Sequence, residues 1–286
     1  MTDLIAVTGA SGQLGRRVVR HLSERGARQR LVVRDRSRAP AVDGAEVAVA
    51  AFEDEPAMRA AFDGAATLFL VSGHEDRNRL DLHLAAVRAA AAAGVQRVVY
   101  TSFVGAAPQS TFTYARDHSL TERAIVEAGL ALTALRDSLY AEIVPWLVGD
   151  DGVIRGPAAN GRIAWVARDD VARLAAVVLT DRSHAGQVYD VTGPEAIDLH
   201  ETARVLTEVT GRAISYHPES LDEARASRAG AQQWMIDGWI GSYAAIATGE
   251  ASVTSHTVEH VTGRRPRTLE ELLRGEPDAW QHLRRD

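Results

Sequence analysis

The chain has 286 residues, 46% hydrophobic and 24% charged, with a formal net charge of −6; this suffices for one large domain or two small ones and provides no basic field for a nucleic-acid backbone. It has no cysteine, which excludes disulfides, thiolate catalysis and cysteine-based zinc sites. It has no lysine either, so all 32 residues in the Lys+Arg total are arginines and every mechanism that needs a lysine amine is excluded.

Leu4 to Val7 form a short apolar run that ends in Thr8-Gly9-Ala10-Ser11-Gly12-Gln13-Leu14-Gly15, after which Val18, Val19 and Leu22 recur at helical spacing. The pattern predicts strand, glycine turn and helix. A diphosphate requires a turn without side chains in the way and then a helix start whose backbone N–H groups face the ligand. Gly9 would allow the turn, Gly12 the approach of the backbone to the ligand, and Gly15 the close packing of helix on strand. Ser11 between glycines also invites a serine-hydrolase reading, but Gly9-Ala10-Ser11-Gly12-Gln13 lacks the final glycine of a nucleophile elbow.

Arg30 to Val33 predict a second strand, followed by Arg34-Asp35-Arg36-Ser37-Arg38. In a dinucleotide fold an acidic residue here holds the ribose 2′-hydroxyl, whereas arginine accepts a 2′-phosphate. Arg34, with Arg36 and Arg38, favours NADPH over NADH; Asp35 as a ribose ligand, with the arginines as a solvated turn, is the competing reading.

Val47 to Ala50 predict a third strand, Pro56 to Phe62 a helix, and Thr67 to Val71 a fully apolar fourth strand suited to a covered parallel sheet. Ser72-Gly73-His74 leaves its carboxyl end, where ligands lie in such sheets. A helix from Arg79 to Ala93 stops at Gly94, and Arg97 to Thr101 form a fifth strand that runs into Ser102. Tyr114 opens the next helix, which carries His118, and Ala131 to Leu135 form a sixth strand. Ile163 to Val166 predict a further strand and Val171 to Leu179 a helix capped by Asp169 or Asp170. After Val191 the pattern becomes mostly helical.

This alternation predicts an α/β fold, a doubly wound parallel Rossmann sheet with a smaller, mainly helical C-terminal region. Residues 1–137 with 161–193 are assigned to dinucleotide binding, and 138–160 with 194–286 to a region that covers the substrate. That region holds Trp146, Trp234, Trp239 and Trp280, which fit either a pocket for a flat substrate or a core. His256-Thr257-Val258-Glu259-His260 matches a zinc-peptidase pattern, but Gly263 ends the helix at once and no third ligand can be assigned, so no metal is expected. No apolar run approaches a membrane span, and Met1-Thr2-Asp3 lacks the regions of a secretory signal. A cytoplasmic protein is expected, with a small-molecule partner and neither nucleic acid nor membrane.

The segments Val7 to Gly15, Val33-Arg34, Ala92-Ala93-Gly94-Val95 leading to Tyr100-Thr101-Ser102, His118 with Thr121-Glu122, Tyr189 to Gly193 and Val261 to Leu269 resemble the NmrA-like atypical short-chain dehydrogenases. Within that group the likeness is to bacterial NAD(P)H–quinone oxidoreductases. The resemblance implies NADPH bound by Thr8, Gly9, Ser11, Gly12, Gln13, Leu14 and Gly15. It further implies Arg34 on the 2′-phosphate, with Arg38 beside it, and the nicotinamide near Val71, Ser72, Gly73, Thr101 and Ser102. Two positions depart from the family pattern. Ala51-Phe52 stands where an aspartate usually contacts adenine, and Asp137 follows Arg136 where asparagine or proline is common.

The tyrosine–lysine pair of ordinary short-chain dehydrogenases cannot exist here, although Tyr114 and His118 keep its i, i+4 spacing. A ketone reduced by hydride becomes a strongly basic alkoxide and needs such a donor. A quinone becomes a phenolate-like anion, with a conjugate acid of pKa roughly 10. The missing lysine therefore points to an electrophilic acceptor, with His118 or Tyr114 as the expected proton donor or hydrogen-bonding group. The alternative is a non-catalytic, NmrA-type dinucleotide sensor that acts through a protein partner.

Overall fold

The computed structural model describes residues 3–73 and 75–284; His74, expected at the end of the fourth strand, lies outside the described residues. In chain order the elements are β1 (Ile5–Val7), α1 (Gly15–Glu24), β2 (Gln29–Val33), β3 (Glu46–Val49), α2 (Glu55–Phe62), β4 (Thr67–Leu70), α3 (Arg79–Ala92) and β5 (Arg97–Phe103). There follow α4 (Thr113–Glu127), β6 (Ala131–Asp137), β7 (Val153–Gly156), β8 (Arg162–Ile163), α5 (Arg168–Thr180), β9 (Val188–Val191) and β10 (Ile197–Asp198). The chain closes with α6 (Leu199–Thr210), β11 (Ser215–Pro218), α7 (Leu221–Ser227), α8 (Gln233–Ala247), α9 (Thr257–Thr262) and α10 (Leu269–Gly275).

Seven strands form the main sheet in the order β3-β2-β1-β4-β5-β6-β9. The pairings from β3 through β5 are parallel, with Val7 opposite both Leu31 and Phe69. The order reverses between β1 and β4, the switch point where open α/β sheets bind ligands at their carboxyl ends. All four residues of β4 are buried, as its apolar run predicts. On one face the alanines of α3 (Ala86, Ala89, Ala90) pack with Met58 and Phe62 of α2 and with Leu68, Leu70 and Tyr100 of the sheet. Arg97 opens β5 and closes α5: its guanidinium donates to the carbonyls of Val178 (2.5 Å) and Asp181 (3.0 Å), satisfying orphan acceptors at the helix end.

The chain divides into two compact units: residues 1–103, 117–136 and 171–189, and residues 104–116, 137–170 and 190–286. Asp137 and residues 104–116, 161–170 and 190–193, grouped by sequence with the dinucleotide-binding part, cluster with the second unit. The core of that unit explains the 161–170 segment: Ile163, Trp165 and Ala167 pack with Leu199, Leu206, Leu272 and Trp280.

Two local expectations need correction. The strand expected over 163–166 is limited to Arg162–Ile163, antiparallel to β10, because Ala164 N–H turns away to the carbonyl of Ala251. Helix α5 starts at Arg168, so neither Asp169 nor Asp170 is its cap; both lie in its first turn. Glu142 accepts from the Arg168 backbone N–H (2.9 Å), and Asp170 accepts from that of Arg267 (2.8 Å). The final third is mainly helical, as expected, with two short strands beside its helices: β10 pairs with β8, and β11 runs parallel to β7. Finally, Trp165 and Trp280 are core residues whose indole N–H groups donate to Thr202 Oγ1 (3.1 Å) and the Leu273 carbonyl (2.8 Å), whereas Trp146 is 71% exposed and stacks on His282.

Candidate functional site

A cleft opens at the carboxyl ends of β1, β2 and β4, within the first unit. Thr8, Gly9 and Ser11 to Gly15 form its floor. Gly9 adopts φ +58°, and the Gly12 N–H closes the turn on the Gly9 carbonyl at 2.8 Å. A Cβ on Gly15 would lie 2.1 Å from that carbonyl oxygen, and one on Gly12 would lie 3.1 Å from it. The two positions therefore have different tasks. Gly15 is required by the fold, while Gly12 is tight but leaves open a second demand, the approach of a ligand. Arg16 folds back to hold the turn, donating to the carbonyls of Ser11 (2.7 Å) and Gly12 (3.2 Å).

A second wall follows β2. Arg34 and Arg38 line the cleft and are exposed. Asp35 does not line it: its Oδ1 accepts from the Ser37 N–H (2.9 Å) and hydroxyl (2.8 Å), capping a tight turn, and these bonds lower its pKa. Arg36 also turns away, donating to the Val47 carbonyl at 2.9 Å. Of this charged run, the two residues at the cleft are therefore both cations, the pattern that accepts a phosphate rather than a ribose hydroxyl. Ala51, Phe52, Glu53, Met58 and Leu82 complete the lining on this side.

The third wall is Val71, Ser72 and Gly73, beyond β4. Three successive backbone N–H groups are held there by side chains: Val71 by Thr8 Oγ1 (2.9 Å), Ser72 by Thr101 Oγ1 (2.7 Å) and Gly73 by His83 Nε2 (2.9 Å). Thr101 and Ser102, expected beside the nicotinamide, are themselves buried and do not line the cleft. Thr101 acts behind the wall. Ser102 donates to Glu122 (2.5 Å), whose carboxylate also takes a two-pronged pair from Arg136 (3.0 and 2.7 Å).

His118 is buried under this wall. Arg79 Nη2 donates to its Nε2 at 2.8 Å, and since arginine only donates, the ring proton must sit on Nδ1. That proton points to the Tyr100 hydroxyl, 2.8 Å away. The same logic applies to His83: Nε2 accepts from Gly73, so Nδ1–H donates to Thr121 Oγ1 at 3.1 Å. Burial, reinforced by the charge of Arg79, pushes His118 well below the usual histidine range and His83 down to about 3. Both ring nitrogens of His118 are thus engaged, Nε2 by Arg79 and Nδ1 by Tyr100.

Tyr114 goes to other neighbours. In the second unit its ring meets Phe112 edge-on at 5.2 Å, and a Cβ on Gly238 of α8 would lie 3.0 Å from its hydroxyl. The Tyr114–His118 pair expected on one face of α4 is thus resolved into two different sets of contacts. The residue that sequence reasoning passed over is Arg79, 5% exposed yet part of the cleft lining. Its only signal is an arginine at the start of an alanine-rich helix. The His256–His260 pattern runs from the N-cap His256 into the short α9, and among the described residues no three metal-ligating side chains come together.

The sequence profile of the NmrA-like family matches residues 1–225. Quinone oxidoreductase 2 of Escherichia coli is 32% identical over 282 residues, covering 94% of this chain and 97% of that protein. NAD(P)H azoreductase of Xenophilus azovorans is 27% identical over 284 residues, covering 97% of this chain and 99% of its own length. Among solved structures, NADPH-dependent quinone oxidoreductase from Escherichia coli complexed with NADPH superposes with a TM-score of 0.86 at 32% identity, over 94% of this chain and 98% of that one. Triphenylmethane reductase from Citrobacter superposes at 0.83 and 29% identity, over 97% and 99% of the two chains.

Proposed function

Because the chain belongs to the NmrA-like family, we propose that it is an NAD(P)H-dependent oxidoreductase that passes hydride to a quinone or a similarly electrophilic small molecule. One observation carries this reading: a glycine-rich turn and two cleft-lining arginines, Arg34 and Arg38, meet at the switch point of a parallel sheet. The residues present suit the cofactor, since the diphosphate has a floor with glycine at positions 9, 12 and 15 and the 2′-phosphate has two cations.

In this reading Thr8, Gly9, Ser11, Gly12, Gln13, Leu14 and Gly15 hold the diphosphate, and Arg34 with Arg38 selects NADPH over NADH. Val71, Ser72 and Gly73 form the wall on the nicotinamide side, and Thr101 shapes it from behind. Ser102 supports the fold around Glu122. The nicotinamide supplies the hydride.

The names of the relatives give the acceptor its class. Quinones, azo groups and triphenylmethane dyes share a delocalised, electron-poor system that takes hydride without forming an alkoxide. Such an acceptor needs no lysine and no imidazolium; this chain has no lysine, and burial holds His118 well below the usual histidine range. The test is the loss of NADPH absorbance, and separately of NADH, with purified protein and quinones, an azo dye and simple ketones. Turnover with quinones and preference for NADPH is the expected result. Turnover with ketones alone would refute the electrophile argument, and tight binding without turnover would make the protein a sensor.

A further inference from the structure

Arg79 is a cation almost wholly removed from water, a placement that costs free energy unless its donors are directed. Its Nε donates to the Gly73 carbonyl (3.3 Å), its Nη1 pairs with Asp117 (3.4 Å) and its Nη2 donates to His118 Nε2 (2.8 Å). The His118 ring is itself fixed: Nδ1 is bound to the fully buried Tyr100, and the ring lies nearly parallel to Phe103 with centres 6.4 Å apart. A neutral ring contributes direction to the guanidinium rather than charge.

The strand order decides which part of a dinucleotide Arg79 faces. With the reversal between β1 and β4, the adenosine half lies over β2 and the nicotinamide half over β4. Arg34 and Arg38 follow β2, whereas Arg79 stands against Gly73 on the β4 side of the cleft. We propose that Arg79 binds the nicotinamide half of the dinucleotide, donating to its ribose or phosphate oxygens, and that His118 and Tyr100 are positioning residues that aim it. This rests on the reading of the cleft as a dinucleotide site. It replaces an acid role for His118 with one exerted through Arg79.

The experiment compares two ligands on the full chain by titration calorimetry: NADP+, which spans both halves, and 2′,5′-ADP, which carries only the adenosine half. Arg79→Met should weaken NADP+ about tenfold or more while leaving 2′,5′-ADP within about twofold. His118→Leu should move NADP+ in the same direction. His118→Gln, whose amide offers an acceptor and a donor, should restore most of the affinity. The double variant Arg79→Met with His118→Leu should bind no worse than Arg79→Met alone, since both act through one contact.

Retained 2′,5′-ADP binding shows that each variant has folded around its site, and Arg79→Lys, which keeps the charge but loses the planar fork, serves where Arg79→Met does not fold. Unchanged NADP+ affinity in the Arg79 variants overturns the proposal. So does an equal loss for both ligands, or a His118→Leu protein that binds NADP+ normally and loses only turnover. If the unmodified protein binds neither ligand, it is the dinucleotide reading of the cleft that fails.

Discussion

Arg79 Nη2 and His118 Nε2 lie 2.8 Å apart in the interior, and this single contact fixes which nitrogen of His118 carries its proton. The proton on Nδ1 then needs an acceptor, and the Tyr100 hydroxyl supplies it at 2.8 Å. Tyr100→Phe keeps the ring and its packing but leaves a buried N–H without that partner. The cost should be about 1–3 kcal/mol, read as a lower urea midpoint with an unchanged denaturant slope. An unshifted midpoint would mean that the proton is placed otherwise.

Acid should destabilise the protein through its buried histidines. His83 is held at about 3 and His118 well below the usual range, in both cases chiefly by burial. Their folded pKa values lie below the unfolded value of about 6.5, so between the two the unfolded chain binds more protons and stability falls as pH falls. The contribution is complete only well above 6.5, and His83, held at about 3, removes about 1 kcal/mol between pH 6.5 and 5.5, with His118 acting in the same direction. Asp137, raised well above the carboxylate range by burial, acts with the opposite sign but equally in wild type and variant. The measurement is therefore a difference: His118→Gln should show a shallower loss of stability between pH 6.5 and 5.5 than the unmodified protein.

Gly12→Ala and Gly15→Ala should fail in different ways. The new Cβ on Gly15 would overlap the Gly9 carbonyl at 2.1 Å, where backbone must give way. That substitution should lower stability by about 3 kcal/mol or more, seen in the thermal midpoint. At Gly12 the approach is 3.1 Å; stability should change by about 1 kcal/mol, while NADPH affinity falls about tenfold or more. Equal effects of the two changes on stability would contradict this division.

Arg34→Ala and Arg38→Ala should each raise the KM for NADPH about tenfold, a loss appropriate to one charge-assisted phosphate contact, and leave the KM for NADH within about twofold. Asp35→Asn should leave both nearly unaltered, since its carboxylate caps the turn through Ser37. A selective loss of NADH turnover in Asp35→Asn would restore the ribose reading of that residue.

The glycine turn was legible because its chemistry is local: Gly9, Gly12 and Gly15 are read from backbone demands within one turn, and β4 from four apolar letters in a row. Arg34 and Arg38 were legible for the same reason. What escaped was whatever depends on long-range contact. Arg79 and His118 are 39 residues apart, and nothing in the intervening sequence announces that they meet. Long-range contact also gives Tyr114 and His118, neighbours on a helical wheel, separate surroundings, because a wheel gives a face but not what the face touches. Thr121 and Glu122, legible only as letters shared with the family, prove to be the partners of His83 and of Ser102 with Arg136.

The wall beyond β4 has one more property. Its amides at Val71, Ser72 and Gly73 are held by side chains from residues 8, 101 and 83, which belong to three separate stretches of the chain. Opening any of them means disturbing β1, β5 or α3, so the segment inherits the protection of the sheet and its amide protons should exchange on the slow timescale of core strands. The entropy of ordering this wall is thus spent when the chain folds, and a ligand arriving there finds a surface it does not have to organise.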